Sequence, residues 1–116
     1  MKVIAIVQAR MGSTRFPNKV MQSINGVSLI ELLLTRLAKS QHIDQILLAT
    51  SKDPRNQPLV DHVCRLGYPV YQGSENDVLD RYYRAAESHY PDIVVRITGD
   101  CPLIDPCVVD SVIAAL

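Results

Sequence analysis

The sequence predicts an α/β domain built around a mostly parallel sheet, and three of its features carry that prediction. Short runs rich in Val and Ile alternate with longer stretches whose apolar residues recur at helical spacing. The first run, residues 3–7, is apolar without interruption, as a strand covered on both faces requires. Turn and cap signals, among them Asn25-Gly26, Gly67 and Asp105-Pro106, fall between the runs. With 47% of its 116 residues apolar, the chain can bury a core of its own.

Each element follows from local chemistry. A strand over residues 3–9 feeds a polar loop, residues 10–19, broken by Gly12 and Pro17. After Asn25-Gly26, Ser28 and Glu31 form a capping box that opens a helix expected to reach about Lys39, with Leu29, Leu32, Leu33 and Leu37 on its inward stripe and Arg36 and Lys39 near the carboxyl end. Residues 43–50 form the second strand. A helix over about residues 57–66 follows, with Pro58 in its first turn and Gly67 ending it in the left-handed conformation. The third strand is residues 68–72. Ser74 or Asn76 then caps a helix containing Val78, Leu79, Tyr82, Tyr83 and Ala86 that stops before Pro91. Residues 93–97 are the fourth strand, and Asp105 with Pro106 starts a helix that runs through Val108, Val109, Val112 and Ile113 to Leu116. That helix has no terminating residue, so the chain is expected to continue past Leu116.

Composition excludes several classes. Twelve Lys and Arg balance twelve Asp and Glu, so the overall basic excess that non-specific nucleic-acid binding needs is missing. The apolar run at the amino terminus is five residues long, far short of the roughly 20 that cross a bilayer and too short for a secretory signal. Cys64, Cys101 and Cys107 have neither CxxC nor zinc-like spacing, and are expected as small buried thiols in a reducing cytoplasm. His42, His62 and His89 are dispersed and suit surface or packing roles. Charge is nevertheless uneven along the chain. Lys2, Arg10, Arg15 and Lys19 precede the first acid, Glu31.

In open parallel sheets ligands bind beyond the carboxyl ends of the strands, which directs attention to residues 8–19, 49–51 and 98–103. The first loop sets Arg10, Arg15 and Lys19 on ten residues with no counter-ion, beside Gly12, Ser13 and Thr14. Guanidinium forks and a mobile ammonium suit a polyphosphate, although the same charges would also suit a solvated loop. It is neither a Walker A loop nor a GxGxxG fingerprint. Asp100, directly after a buried strand, can hold a divalent ion or accept backbone hydrogen bonds. Thr50 and Ser51 can touch a base or ribose, or satisfy strand-end backbone groups. Tyr82 and Tyr83, among Glu75, Asp77, Asp80 and Glu87, read as an amphipathic helix face rather than a base-stacking surface.

The pattern Gln8-Ala9-Arg10-x-Gly12-Ser13-x-Arg15-x-Pro17-x-Lys19 resembles the amino-terminal signature of the cytidylyltransferases that activate acidic sugars, 3-deoxy-manno-octulosonate and acylneuraminate. Gly73-Ser74-Glu75-x-Asp77-Val78-Leu79-x-Arg81 and Thr98-Gly99-Asp100-x-Pro102-Leu103-Ile104 are most similar to the spore coat polysaccharide biosynthesis protein F branch of that family. The resemblance implies a three-layer α/β/α fold of the nucleotide-diphospho-sugar transferase type, with residues 1–116 as the nucleotide-binding half of one domain about twice as long. It implies that Arg10, Met11, Gly12, Ser13, Arg15 and Lys19 bind the nucleotide, that Asp100 binds magnesium, and that a second metal-binding carboxylate lies further along the chain. Thr98 stands where the octulosonate enzymes carry a glutamine that contacts cytosine, and Arg81 completes a motif that could reach a sugar carboxylate or phosphate. The implied activity is magnesium-dependent transfer of CMP from CTP to a sugar, with release of pyrophosphate, for surface polysaccharide synthesis. Arg15, Lys19 and Asp100 would carry the chemistry, in a cytoplasmic enzyme that is commonly a homodimer. Two alternatives stay open: a glycosyltransferase using a ready-made nucleotide sugar, and a non-catalytic nucleotide-binding or assembly module.

Overall fold

A computed structural model describes residues 2–9, 23–24, 26–74, 77–87, 89–98 and 106–115. Strand β1 (Val3–Gln8) organises the rest, and its residues 3–7 are all buried. It pairs in parallel with β4 (Gln45–Ser51) on one side and β6 (Ile93–Thr98) on the other, and β4 pairs in parallel with β5 (Val70–Gly73). The sheet order is therefore β5-β4-β1-β6. A separate antiparallel hairpin pairs β2 (Ser23–Ile24) with β3 (Val27–Ser28), with Gly26 at φ +83° just before β3. The Asn25-Gly26 dipeptide marks the place in the sequence, but strands of two residues are too short to leave a periodic signal.

Alternation along β1 loads both faces of the sheet. Val3, Ala5, Val7 and Ala9 join Ile46, Leu48 and Ile97 beneath α1 (Leu29–Leu37), α2 (Gln57–Arg65) and α4 (Pro106–Ala114). Ile4 and Ile6 join Leu47 and Ala49 beneath α3 (Val78–Glu87), which contributes Tyr82 and Ala85. The three expected layers are present. Each fully buried Val, Ile or Leu contributes about 1.5–3 kcal/mol of transfer free energy. The chain steps from β1 outward to β4 and β5 through α1 and α2 on one face, then recrosses on the other face through α3 to reach β6. Crossovers of one hand require this change of face when the direction of travel reverses.

Ser28 caps α1 by accepting the Glu31 N–H at 3.1 Å, and its hydroxyl also bonds His62 Nε2 of α2 at 2.8 Å. One short side chain thus starts a helix and ties it to the next. The buried residues of α1 are Leu29, Ile30, Leu33, Leu34 and Leu37, so the stripe turns toward Ile30 and Leu34 and leaves Leu32 half-buried. A 3-10 turn, Pro54–Asn56, precedes α2. Gly67 ends α2 with φ +94°, donating to Cys64 O at 3.0 Å while Tyr68 donates to Val63 O at 3.3 Å, the paired bonds of a Schellman motif. The expectation of buried thiols is corrected at two positions: Cys64 and Cys107 lie on the outward sides of α2 and α4 and are exposed. Cys101 lies outside the described residues, as does Asp105.

Helix α4 is fixed by a single carboxylate. Asp110 accepts the Ser40 hydroxyl and the N–H groups of Gln41 at 2.9 Å and His42 at 3.2 Å, all in the α1–β4 connection. The Gln41 N–H, foremost, and the Ser40 hydroxyl hold its carboxyl below the ordinary aspartate value. The folded state therefore favours the charged form, and this contribution is present at neutral pH and lost as pH falls through the lowered value. Thermal melts should show stability dropping below about pH 4. Asp110→Ala should lower Tm at neutral pH by a few degrees and flatten that acid limb, whereas an unchanged limb would remove Asp110 as the anchor.

Candidate functional site at the carboxyl edge of the sheet

Register places the ends of the strands side by side. Gln8, at the end of β1, pairs with Ala49 on one side and Thr98 on the other, while Thr50 and Ser51 pair with Gln72 and Gly73. The loops that follow β1, β4, β5 and β6 therefore leave from one edge, and the reversal of strand order falls at β1. A crevice at such a reversal is where open parallel sheets take ligands. Arg10, Met11, Gly12, Ser13, Arg15, Lys19 and Asp100 lie outside the described residues, as does the side chain of Thr98. Among the described residues, no group of three His, Cys, Asp or Glu could hold a metal ion.

Of the sequence-predicted site residues, Thr50 and Arg81 are described in full. Thr50 is completely buried and its Oγ1 has no hydrogen-bond partner among the described residues. By strand alternation it shares a face with Ile46 and Leu48, the side of α1 and α2. A buried hydroxyl without a partner costs about 1–3 kcal/mol, and this one lies at the end of β4, on the edge from which the loops leave. Ser51 behaves differently. Its Oγ accepts the Asp53 N–H at 3.3 Å and Asn56 Nδ2 at 2.7 Å, which closes the turn after β4. Asp53 in turn grips Arg55, whose side chain and N–H bonds hold the carboxyl below its usual value.

The segment from Gly73 to Arg81 is a self-contained unit. A Cβ at Gly73 would lie 2.7 Å from Tyr71 Cε1 and 3.2 Å from Arg81 Cγ, so a side chain here would displace the Tyr71 ring and crowd Arg81. Ser74 Oγ accepts the Asp77 N–H at 3.1 Å, and Asp77 Oδ1 accepts the Asp80 N–H at 3.0 Å. The side chain that caps α3 here is therefore Asp77, while Ser74 braces the turn before it and Asn76 lies outside the described residues. Arg81 is only 2% exposed, with Nη1 donating to the Ser74 carbonyl at 2.9 Å and Nε unpartnered. Tyr82 is buried beneath the guanidinium of Arg96, 4.4 Å from its ring centre, and Tyr83 is exposed, as an amphipathic face requires. The sequence pattern missed the closing role of Gln72, whose Nε2 donates to Ser51 O at 3.3 Å.

A parallel sheet with its ligand loops gathered at a strand-order reversal, roofed by helices on both faces, is the architecture of nucleotidyltransferases of the nucleotide-diphospho-sugar transferase type. Solved structures of that class match it throughout. The chain belongs to the cytidylyltransferase family, whose model matches residues 4–116. It is 37% identical over 117 residues to the spore coat polysaccharide biosynthesis protein SpsF of Bacillus subtilis, covering 97% of this chain and 49% of that protein. A cytidylyltransferase from Leptospira borgpetersenii superimposes with a TM-score of 0.95 at 35% identity, over 100% of this chain and 49% of its own. CMP-2-keto-3-deoxy-manno-octonic acid synthetase, solved with CTP, superimposes with a TM-score of 0.86 at 25% identity, over 99% and 47%. The chain thus spans about half the length of the relatives it matches.

Thr50→Val removes the orphaned hydroxyl while keeping the shape of the side chain. Its Tm should equal or exceed that of the wild type. A lower Tm would mean that the hydroxyl serves the fold.

Proposed function

We propose that the chain is the nucleotide-binding half of a magnesium-dependent cytidylyltransferase that joins CMP to an acidic sugar and releases pyrophosphate. The observation that carries this reading is the match of nearly the whole chain to an enzyme solved with CTP. The likeness to the spore coat polysaccharide protein supports a surface polysaccharide as the destination of the product.

In this reading a sugar hydroxyl attacks the α-phosphorus of CTP and the bond to pyrophosphate breaks. Arg10 and Arg15 take phosphate oxygens in two-pronged hydrogen bonds, and Lys19 adds a mobile charge that offsets the negative charge growing on the leaving group. Gly12 lets the backbone of the loop approach the phosphates, Ser13 adds a hydroxyl donor, and Met11 lines the same loop. In the same reading the Thr50 hydroxyl meets the base or ribose, and Thr98, whose backbone is in register with Gln8, is the candidate contact for the base. The donor chemistry fits magnesium, because the Asp100 carboxylate is a hard oxygen ligand of the kind that this ion takes beside phosphate oxygens. When bound, magnesium would neutralise and orient the phosphates. Most of the acceleration in such a site is positioning and charge compensation.

In the complete natural polypeptide, CTP with an acidic sugar should yield pyrophosphate, whereas a glycosyltransferase working from a ready-made nucleotide sugar would release none. Arg15→Ala should weaken CTP binding by roughly ten- to a hundredfold at an unchanged Tm, and equal affinity at equal Tm would end its phosphate role. Asp100→Asn should cut kcat at least about a hundredfold and abolish the response to added magnesium. A variant that kept both would take Asp100 out of the mechanism.

A further inference from the structure

Arg81 is anomalous on physical grounds. A buried guanidinium is ordinarily matched by a carboxylate, because removing the charge from water costs several kcal/mol and arginine keeps that charge when buried. Here Nη1 rests on a neutral carbonyl, that of Ser74, and Nε has no partner among the described residues. Among the described residues no carboxylate pairs with it. Asp77 Oδ1 accepts the Asp80 N–H, and the Asp80 carboxylate is paired with Arg84. Arg81 also lies in the first turn of α3, where the helix dipole is already positive and a cation is disfavoured. A methionine would fill the slot against Gly73 and Tyr71 without any of these costs.

We infer that Arg81 supplies an uncompensated buried charge that draws the polyphosphate of the nucleotide to the carboxyl edge of the sheet, acting through its field and not through contact. The inference rests on the cytidylyltransferase reading and adds to it a second source of positive potential beside residues 10–19. The geometry suits this action. Arg81 packs on Gly73, which pairs with Ser51 at the end of β4. β5 lies two strands from β1, about 10 Å at ordinary strand spacing. That is roughly one screening length at physiological salt, and the intervening medium is packed protein, which screens less than water. The amino end of α3 adds to the same field, whereas exposed Asp77 is screened by solvent.

The test uses Arg81→Met and Arg81→Lys in the complete natural polypeptide, with dissociation constants for CMP and CTP measured by calorimetry at low and moderate salt. Arg81→Met should weaken CTP about fivefold and CMP distinctly less. The difference should shrink as salt is added, and Tm should equal or exceed that of the wild type. Arg81→Lys, which keeps the charge and alters the Ser74 bond, should keep the wild-type ratio of CTP to CMP affinity. Equal, salt-insensitive losses for both ligands would overturn the inference and make Arg81 a shaping residue, as would an Arg81→Lys ratio that collapses. The Arg81→Lys ratio decides alone should Arg81→Met not fold. If the wild type binds no CTP, the cytidylyltransferase reading falls, and inorganic triphosphate on the same proteins then decides the role of Arg81 by itself.

Discussion

The burial of residues 3–7 on both faces of the sheet and along both edges of β1 is the constraint from which the architecture follows. A strand that is apolar at every position needs a neighbour on each side and a layer above and below. β4 and β6 supply the neighbours, α1, α2 and α4 one layer, and α3 the other. A slip of one residue would exchange Ile4 and Ile6 for Val3, Ala5 and Val7 beneath α3, so register is tightly specified. Because β1 must be central, the chain has to leave it in one direction and return on the other side. The reversal that results falls at the end of β1, the strand that residues 10–19 follow in the sequence.

Much of this architecture was legible because local signals agreed with one another. The apolar strand runs, the Ser28 cap and the left-handed Gly67 all occur where the residues place them. What was hidden depended on contacts that periodicity does not carry. Ser74, Asn76 and Asp77 are all cap-forming residues in one short stretch, and only the bond from the Asp80 N–H shows that Asp77 caps α3. Cys64 and Cys107 look apolar by type, yet the inward positions of their helices are taken by Leu59 and Val63 in α2 and by Val109 and Ile113 in α4, which leaves both thiols exposed. At the site, the charge on residues 10–19 was visible in the sequence. The missing partner of Thr50 was not, because a sequence does not say whether a hydroxyl is satisfied. The burial of Arg81 was hidden for a related reason, since it depends on the absence of a Cβ at Gly73.

Charge is distributed with the same logic. Several of the described acids are occupied: Asp53 with Arg55, Asp80 with Arg84, Asp110 with the Ser40–His42 turn, and Asp44 with the Val3 N–H. Exposed pairs of this kind contribute little to stability. Charge is cancelled locally where the partner is an arginine, as for Asp53 and Asp80, whereas Asp44 and Asp110, bonded to neutral N–H groups, keep theirs.

The pairing of β1 with β6 also governs when the sheet can form. Val3 lies in register with Ile93, and the Lys2 N–H bonds the Asp92 carboxylate across 90 residues. β1 leaves the ribosome about 90 residues before β6. During synthesis the strand can acquire β4 early, but its other edge stays bare until nearly the whole of this chain has been made. Pairings so distant in sequence close slowly, and an unpaired, Val- and Ile-rich edge is a template for foreign strands. For the nascent chain, the interval between β1 and β6 is therefore its period of greatest exposure to aggregation and its greatest need of a chaperone.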